Sequence, residues 1–111
     1  MPNFPQHIRS SGNVFADLGL PNAGELLLKA QIVSEIADVM KSRKLTQSKA
    51  ATLTGTAQPD ISNLMRGRFK GFSVERLLVM LNSLGRDIEI TVKPVPRSRK
   101  VGGIKFRREA A

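Results

Sequence analysis

The side chains that most often carry covalent or metal chemistry are scarce in this sequence. It has no cysteine, so disulfides, thiolate metal sites and cysteine nucleophiles are excluded. His7 is the single histidine, which leaves no histidine pair for zinc and argues against a Ser-His-Asp triad. No acid–base pair, glycine-rich phosphate loop or metal-ligand spacing is present. The sequence therefore predicts no enzyme, no cofactor and no metal site.

Charge is the stronger signal. The 111 residues carry 18 Lys and Arg against 9 Asp and Glu, a net charge of +9. Residues 1–40 hold two bases and four acids, whereas residues 41–111 hold 16 bases and five acids. A domain this basic usually binds a polyanion, and nucleic acid is the first candidate. We expect the partner-facing surface in the second part of the chain.

Size and hydropathy indicate one folded domain with short tails. The mass is 12.2 kDa and 41% of residues are hydrophobic, enough for a single core. No apolar run approaches the ~18 residues that a membrane span requires. Residues 1–7 lack the basic and apolar regions of a secretory signal. The sequence therefore predicts a cytoplasmic protein with no membrane segment.

Capping residues and apolar spacing predict four helices. The predicted spans are Asn22 to about Arg43, Gln47 to just before Gly55, Gln58 to about Arg66, and Val74 to Leu84. Thr46 and Ser73 are good N-caps, and Gly55 is a good helix stop. In the third helix, Ile61 and Leu64 are expected to face the core. Phe69 and Phe72 are expected to fill the core beneath the following loop.

The residues at 45–67 have a specific spacing. With Gln47 counted as the first position, Ala occupies the fifth, Gly the ninth, Ile the fifteenth and Leu the eighteenth. This pattern resembles the helix-turn-helix of the phage-repressor-like family, often called Xre-type, and the resemblance covers about residues 22–85. It implies a mainly all-α, lambda-repressor-like helix-turn-helix bundle of about four helices, which binds double-stranded DNA.

The resemblance implies a recognition helix, about Gln58 to Arg66, that enters the major groove. Amide side chains match the donor and acceptor of adenine N6 and N7, a contact that Gln58 and Asn63 can make. Ser62 is less selective, and Pro59 offers only apolar contact. Asp60 either accepts from cytosine N4 or points away from the phosphates.

Other residues are expected to bind the DNA backbone. Gln47 resembles the family position whose amide meets a phosphate at a helix N-terminus, and Thr46 stands next to it. Phosphate contacts are also expected from the bases Arg66, Arg68, Lys70 and Lys49. The alternatives are that Gln47 only caps its own helix and that Arg68 and Lys70 are solvated charges.

Residues 87–93 depart from the family pattern, in which a fifth helix commonly follows the fourth. Apolar and polar residues alternate here, which predicts a C-terminal β-strand with Ile88, Ile90 and Val92 on one face. A single strand cannot satisfy its edges. Pairing with the same strand of a second subunit would give a homodimer that reads a palindromic operator with half-sites ~34 Å, or a multiple of that, apart. The alternative is pairing within the chain, near Val14 and Phe15.

The chain thus divides into an extended N-terminal arm (1–21), a helix-turn-helix domain with a dimerisation strand (22–93) and a basic flexible tail (94–111). The basic residues of the tail either lie along phosphates, enter a minor groove or remain solvated: Arg97, Arg99, Lys100, Lys105, Arg107 and Arg108. The arm and the strand together resemble the HigA-like antitoxin branch, small Xre-type regulators encoded beside a toxin.

That resemblance implies a repressor that is the autoregulating antitoxin of a toxin–antitoxin module. The alternatives are a protein that chiefly binds and inhibits a toxin, through its less basic front end, and a stand-alone Xre-type regulator. A non-specific DNA-binding protein is a further alternative given the net charge.

Overall fold

A computed structural model describes residues 23–109 of the chain. Four helices follow one another: α1 (Ala23–Ser42), α2 (Gln47–Thr54), α3 (Gln58–Met65) and α4 (Val74–Ser83). This confirms the four predicted helices to within two residues at each end. The predicted N-terminal arm, which includes His7, and Asn22, the predicted start of the first helix, lie outside the described residues.

Helix α1 is the longest element and forms one wall of the core. Its residues Ile32, Val33, Ile36 and Val39 have no exposed surface, in agreement with the predicted apolar stripe. The helix packs mainly against α4. At their C-terminal ends the two are joined by Arg43, whose Nη1 donates to the carbonyl oxygen of Leu84 at 2.8 Å.

Helices α2 and α3 are joined by a three-residue turn. The hydroxyl of Thr46 caps α2 by accepting from the backbone N–H of Lys49 at 3.0 Å. Gly55 ends α2 in the left-handed region (φ +66°), where a side chain would be strained. The turn brings the buried Ala50 of α2 to the same core as Ile61 and Leu64 of α3, all with no exposed surface. The small residue and the two aliphatic residues therefore fix how the two helices cross.

The segment after α3 is held by two buried rings. Phe69 and Phe72 are 7% and 6% exposed, which confirms that they belong to the core. Ser73 then caps α4 by accepting from the backbone N–H of Arg76 at 3.0 Å. Along α4, Leu77 and Leu81 are buried at 0% and 2%, as the predicted stripe requires.

Residues 87–93 do not form a strand in the described chain. No backbone hydrogen bond joins residues 87–95 to another part of residues 23–109, and a β-ladder needs such a partner. The three apolar residues also differ in environment. Ile88 packs partly against the core of its own domain, whereas Ile90 and Val92 are 81% and 92% exposed.

The C-terminal segment turns back onto the domain. A turn in which the Arg99 N–H donates to the Pro96 carbonyl at 3.0 Å reverses the chain. After the turn, Phe106 packs partly against the core, and Arg108 binds two carboxylates of α1. We call residues 86–108 the C-terminal strap. The tail predicted to be flexible is thus seen to lie, in part, on α1.

Candidate nucleic-acid interface

Helix α3 has two chemically distinct sides. Ile61 and Leu64 are fully buried, and they fix one side of the helix in the core. At 3.6 residues per turn, the opposite side is centred on Pro59 and Arg66, both exposed. Polar side chains therefore occupy the side of α3 that faces away from the protein.

The predicted base-reading residues lie on or beside this outer side. Gln58 is exposed at the first position of α3, whereas Ser62 and Asn63 are half-buried. The backbone carbonyl of Asn63 accepts from the N–H of Arg68 at 2.8 Å. This bond fixes the start of the loop that carries Arg68 and Lys70, both exposed.

Asp60 is bound by a residue that the sequence reasoning missed. Its Oδ2 lies 3.5 Å from Nη2 of Arg76, with both side chains close to half exposed. The Arg76 guanidinium also lies over the ring of Phe72, 4.6 Å from the ring centroid. Arg76 therefore ties the first turn of α3 to the first turn of α4. A basic residue in a first turn opposes the helix dipole, and this was the available signal that it had another partner.

Thr46 and Gln47 lie next to each other at the start of α2, but only Thr46 caps the helix. The cap of α2 is made by Thr46, so capping does not require the Gln47 side chain. The amide of Gln47 is half-buried and makes no hydrogen bond to another side chain or backbone group among the residues described. It stands at the first position of α2, where a helix N-terminus favours an anion.

Two further bases lie beside Gln47. Lys41 and Lys44 line one shallow groove together with Thr46, Gln47 and the end of α3 at Met65. Lys44 adopts a left-handed backbone conformation (φ +55°), which costs a non-glycine residue roughly 1–2 kcal/mol. These lysines are not among the phosphate contacts expected from the sequence. The groove brings both of them beside Gln47 and Met65.

The basic residues around α2 and α3 have no acidic partner among the residues described. Within residues 23–109, ion pairs are formed by Lys29, Arg76, Arg86 and Arg108. In the same part of the chain, no carboxylate is paired with the bases that surround α2 and α3: Lys41, Lys44, Lys49, Arg66, Arg68 and Lys70. Their charge is therefore not neutralised by the protein.

Two short helices crossing at a glycine turn, with the second presenting polar side chains outward, define a helix-turn-helix domain. Residues 14–93 match the family model described as a helix-turn-helix domain. A solved chain named as an XRE family transcriptional regulator is similar, with a TM-score of 0.76 and 36% sequence identity over 80% of this chain and 100% of that chain. A comparison with curated proteins finds no match. The chain belongs to the Xre-type helix-turn-helix family.

Proteins of this family are DNA-binding transcriptional regulators, and the family is not an enzyme class. The all-α bundle of four helices agrees with the fold of this family. None of the helices in residues 23–109 has the length and apolar character needed to cross a membrane.

Proposed function

We propose that the protein is a sequence-specific DNA-binding repressor whose helix α3 reads base edges in the major groove. The observation that carries this proposal is the two-sided environment of α3. Ile61 and Leu64 are fully buried, so the helix cannot rotate without losing core packing. Gln58 and Pro59 are left exposed at its N-terminal end, the part of a recognition helix that contacts bases.

The proposed base contacts follow from side-chain chemistry. Gln58 and Asn63 each present an amide that pairs with adenine N6 and N7. Ser62 adds a less selective hydroxyl, and Pro59 offers apolar contact to a thymine methyl group. Asp60 is bound to Arg76, so we propose that it positions α3 and does not act as an unpaired acceptor.

The proposed backbone contacts surround the reading helix. Gln47 donates its amide to a phosphate at the N-terminus of α2, beside Thr46. Basic side chains that have no acidic partner bind further phosphates on both sides of α3: Arg66, Arg68 and Lys70 after the helix, and Lys41, Lys44 and Lys49 near α2. Such contacts fix register and produce salt dependence without reading sequence.

Two substitutions separate base reading from phosphate binding. The probe is a duplex selected by the protein from a random-sequence pool. Gln58→Ala should cost roughly 1–3 kcal/mol on that duplex and relax the preference at one base pair. Arg68→Ala should weaken binding to all sequences and reduce the salt slope by about 1. Ser83→Ala, on the exposed last turn of α4, is the control and should change neither quantity.

Affinity and salt slope are measured by fluorescence anisotropy with random duplex as competitor. A specific repressor should prefer the selected duplex by ~10³-fold or more. If Gln58→Ala and Arg68→Ala both bind like the wild type, the recognition assignment is wrong. If the wild type shows no preference over random DNA, the protein is a non-specific binder.

We further propose that the repressor is a homodimer paired through residues 87–93. Ile90 and Val92 expose more than 80% of their surface, and the neighbouring backbone has no partner within the described chain. Pairing with a second copy would bury these two side chains and give the neighbouring backbone its hydrogen-bond partners. Ile88, which packs on its own core, would contribute only at the edge of this interface.

Light scattering tests the dimer. Ile90→Lys should convert a dimeric mass into a monomeric one, because a charge opposite itself in the paired strands is repelled. Val79→Lys changes another exposed valine, on α4 and 54% exposed, and should leave the dimer intact. A dimer that survives Ile90→Lys would reject this interface, as would a monomeric wild type.

The narrower proposal is that this regulator is an autoregulating antitoxin. It is supported by the resemblance of the N-terminal arm and residues 87–93 to the HigA-like branch. The alternatives are a protein that chiefly inhibits a toxin and a regulator without a toxin. Deleting residues 1–21 should abolish toxin neutralisation while DNA binding persists. Retained neutralisation would dismiss the arm as the masking element, and absence of a small toxin gene next to this one would dismiss the antitoxin role.

A further inference from the structure

The C-terminal strap is anchored to the domain at matched positions of its two legs. Arg86 on the outgoing leg and Arg108 on the returning leg both bind Glu35, at 3.8 Å and 3.1 Å. Ile88 and Phe106, each two residues further along towards the turn, both pack partly against the core. The legs are therefore antiparallel, and the turn at residues 96–99 is their far end.

Glu35 explains why this anchor is firm. Its side chain is only 9% exposed, and it forms ion pairs with the guanidinium groups of Arg86 and Arg108. Arg108 also donates a hydrogen bond to Asp38 at 2.9 Å. A hydrogen bond between two charged groups is stronger than one between neutral groups. The returning leg is therefore held on α1.

The returning leg of the strap passes the N-terminal end of α4 soon after the turn. Residues 102–104 line one groove with Leu28 of α1 and with Ser73 and Val74 at the start of α4. One turn further along α4, Arg76 reaches Asp60 in the first turn of α3. The N-terminal turn of a recognition helix is the part that enters the groove of DNA. The strap thus runs from the middle of α1 towards the end of the molecule that faces DNA.

The far end carries three of the strap's six unpaired basic residues. We call residues 96–100 the strap tip; it contains Arg97, Arg99 and Lys100, all exposed. Within residues 23–109 these three bases form no ion pair, whereas Arg86 and Arg108 are neutralised on α1. The tip has no aromatic ring on which a nucleotide base could stack. Arginine can read guanine or enter a narrow minor groove as well as bind phosphate, and sequence preference separates these contacts. Its chemistry fits phosphates of a duplex.

We propose that the strap tip is a second DNA-contacting element, which binds backbone phosphates next to the base pairs that α3 reads. This proposal rests on the proposed function, since it needs α3 in the groove. The two legs that carry the tip are held on the domain through Glu35, Ile88 and Phe106. Binding therefore loses less conformational freedom than it would for a free basic tail.

Paired charge variants test the contact. Arg97→Gln with Arg99→Gln removes two charges from the tip. Lys105→Gln with Arg107→Gln removes two charges from the returning leg, near the anchor on α1, and is the matched control. All four side chains are exposed, so both variants should fold, which thermal denaturation checks. Binding is measured by fluorescence anisotropy on a ~40-bp duplex carrying the selected site, and on a random duplex of equal length, at 50 and 200 mM salt.

Loss of two phosphate contacts should reduce the slope of log K against log salt by about 1.8. Between the two salt concentrations the wild type should therefore lose about 12-fold more affinity than the tip variant. The preference for the selected duplex should be unchanged, since phosphate contacts do not read sequence. The control should keep the wild-type slope.

Two outcomes would overturn the proposal. One is a tip variant with the wild-type slope, which means that no phosphate is bound there. The other is an equal decrease for tip and control, which means that only net charge matters. If the wild type shows no preference for the selected duplex, the proposed function fails separately, and the slopes on the random duplex still decide whether the tip binds DNA.

Discussion

The contact between Asp60 and Arg76 allows a quantitative test of how the recognition helix is held. A partly exposed ion pair contributes about 0.2–1 kcal/mol to folding. An exposed guanidinium over the face of an aromatic ring contributes a further 0.5–1 kcal/mol, roughly. With Asp60 3.5 Å from Arg76, and Arg76 4.6 Å from the ring centroid of Phe72, both interactions are formed by one side chain. Arg76→Ala should therefore reduce the free energy of unfolding by about 1–2 kcal/mol.

The same substitution should also weaken DNA binding. Without Arg76, the carboxylate of Asp60 is left uncompensated on the helix that we propose enters the groove. Its repulsion from a phosphate ~7 Å away in water is about 0.6 kcal/mol, which is roughly threefold in affinity. Replacing Asp60 by Asn in the same variant removes the repulsion and should restore the threefold loss of DNA affinity. Arg76→Lys keeps the charge but loses the planar contact with Phe72, so it should affect stability more than binding.

The assay combines urea unfolding with fluorescence anisotropy for the wild type, Asp60→Asn, Arg76→Ala and the double variant. The coupling between the two residues should be about 0.2–1 kcal/mol in unfolding. If the double variant binds DNA as weakly as Arg76→Ala, Arg76 does not act by neutralising Asp60. If Asp60→Asn alone relaxes the preference at a C·G pair, Asp60 reads cytosine and our assignment is refuted.

Three further outcomes are expected. Ile61→Ala, at a side chain with no exposed surface, should lower the free energy of unfolding by about 2–5 kcal/mol in urea, and a smaller loss would show that the core collapses around the cavity. Ser73→Ala should cost ~1 kcal/mol by removing the α4 cap, and a thermal melt unchanged from the wild type would contradict that role. Glu35→Ala should release the strap and increase trypsin cleavage after Arg107 or Arg108 about tenfold, whereas cleavage at the wild-type rate would mean that Glu35 does not hold it.

The parts of the fold that follow local rules could be predicted from the sequence. Thr46 and Ser73 cap their helices through a hydroxyl that reaches the third backbone N–H, a contact fixed by spacing alone. Gly55 ends α2 because the left-handed conformation is permitted for glycine. Ile61 and Leu64 are three residues apart, so helical periodicity places them on one side. These features depend on neighbours along the chain, which the sequence shows directly.

The strap and the pairing of Asp60 could not be predicted in this way. Alternation at residues 87–93 is typical of a strand, but a strand also needs a partner, and alternation does not say whether one is present. Ile88 and Ile90 have the same side chain and the same parity, yet only Ile88 reaches the core. Glu35 meets Arg108, and Asp60 meets Arg76, across long separations in sequence. Local spacing does not distinguish Arg108 from the arginines left in solvent, and the place of Arg76 in a first helical turn does not identify Asp60 as its partner.

The way in which acids are used in this fold has a kinetic consequence. Glu25, Glu35, Asp38 and Asp60 are each bound to a base within the protein. The excess positive charge is thereby left mainly around α2, α3 and the strap tip, so the distribution of charge over the molecule is asymmetric. The electrostatic field of a nucleic acid orients such a molecule during diffusional encounter, so more encounters occur in an orientation that allows binding. Raising the ionic strength should therefore lower the association rate constant for DNA as well as shorten the lifetime of the complex.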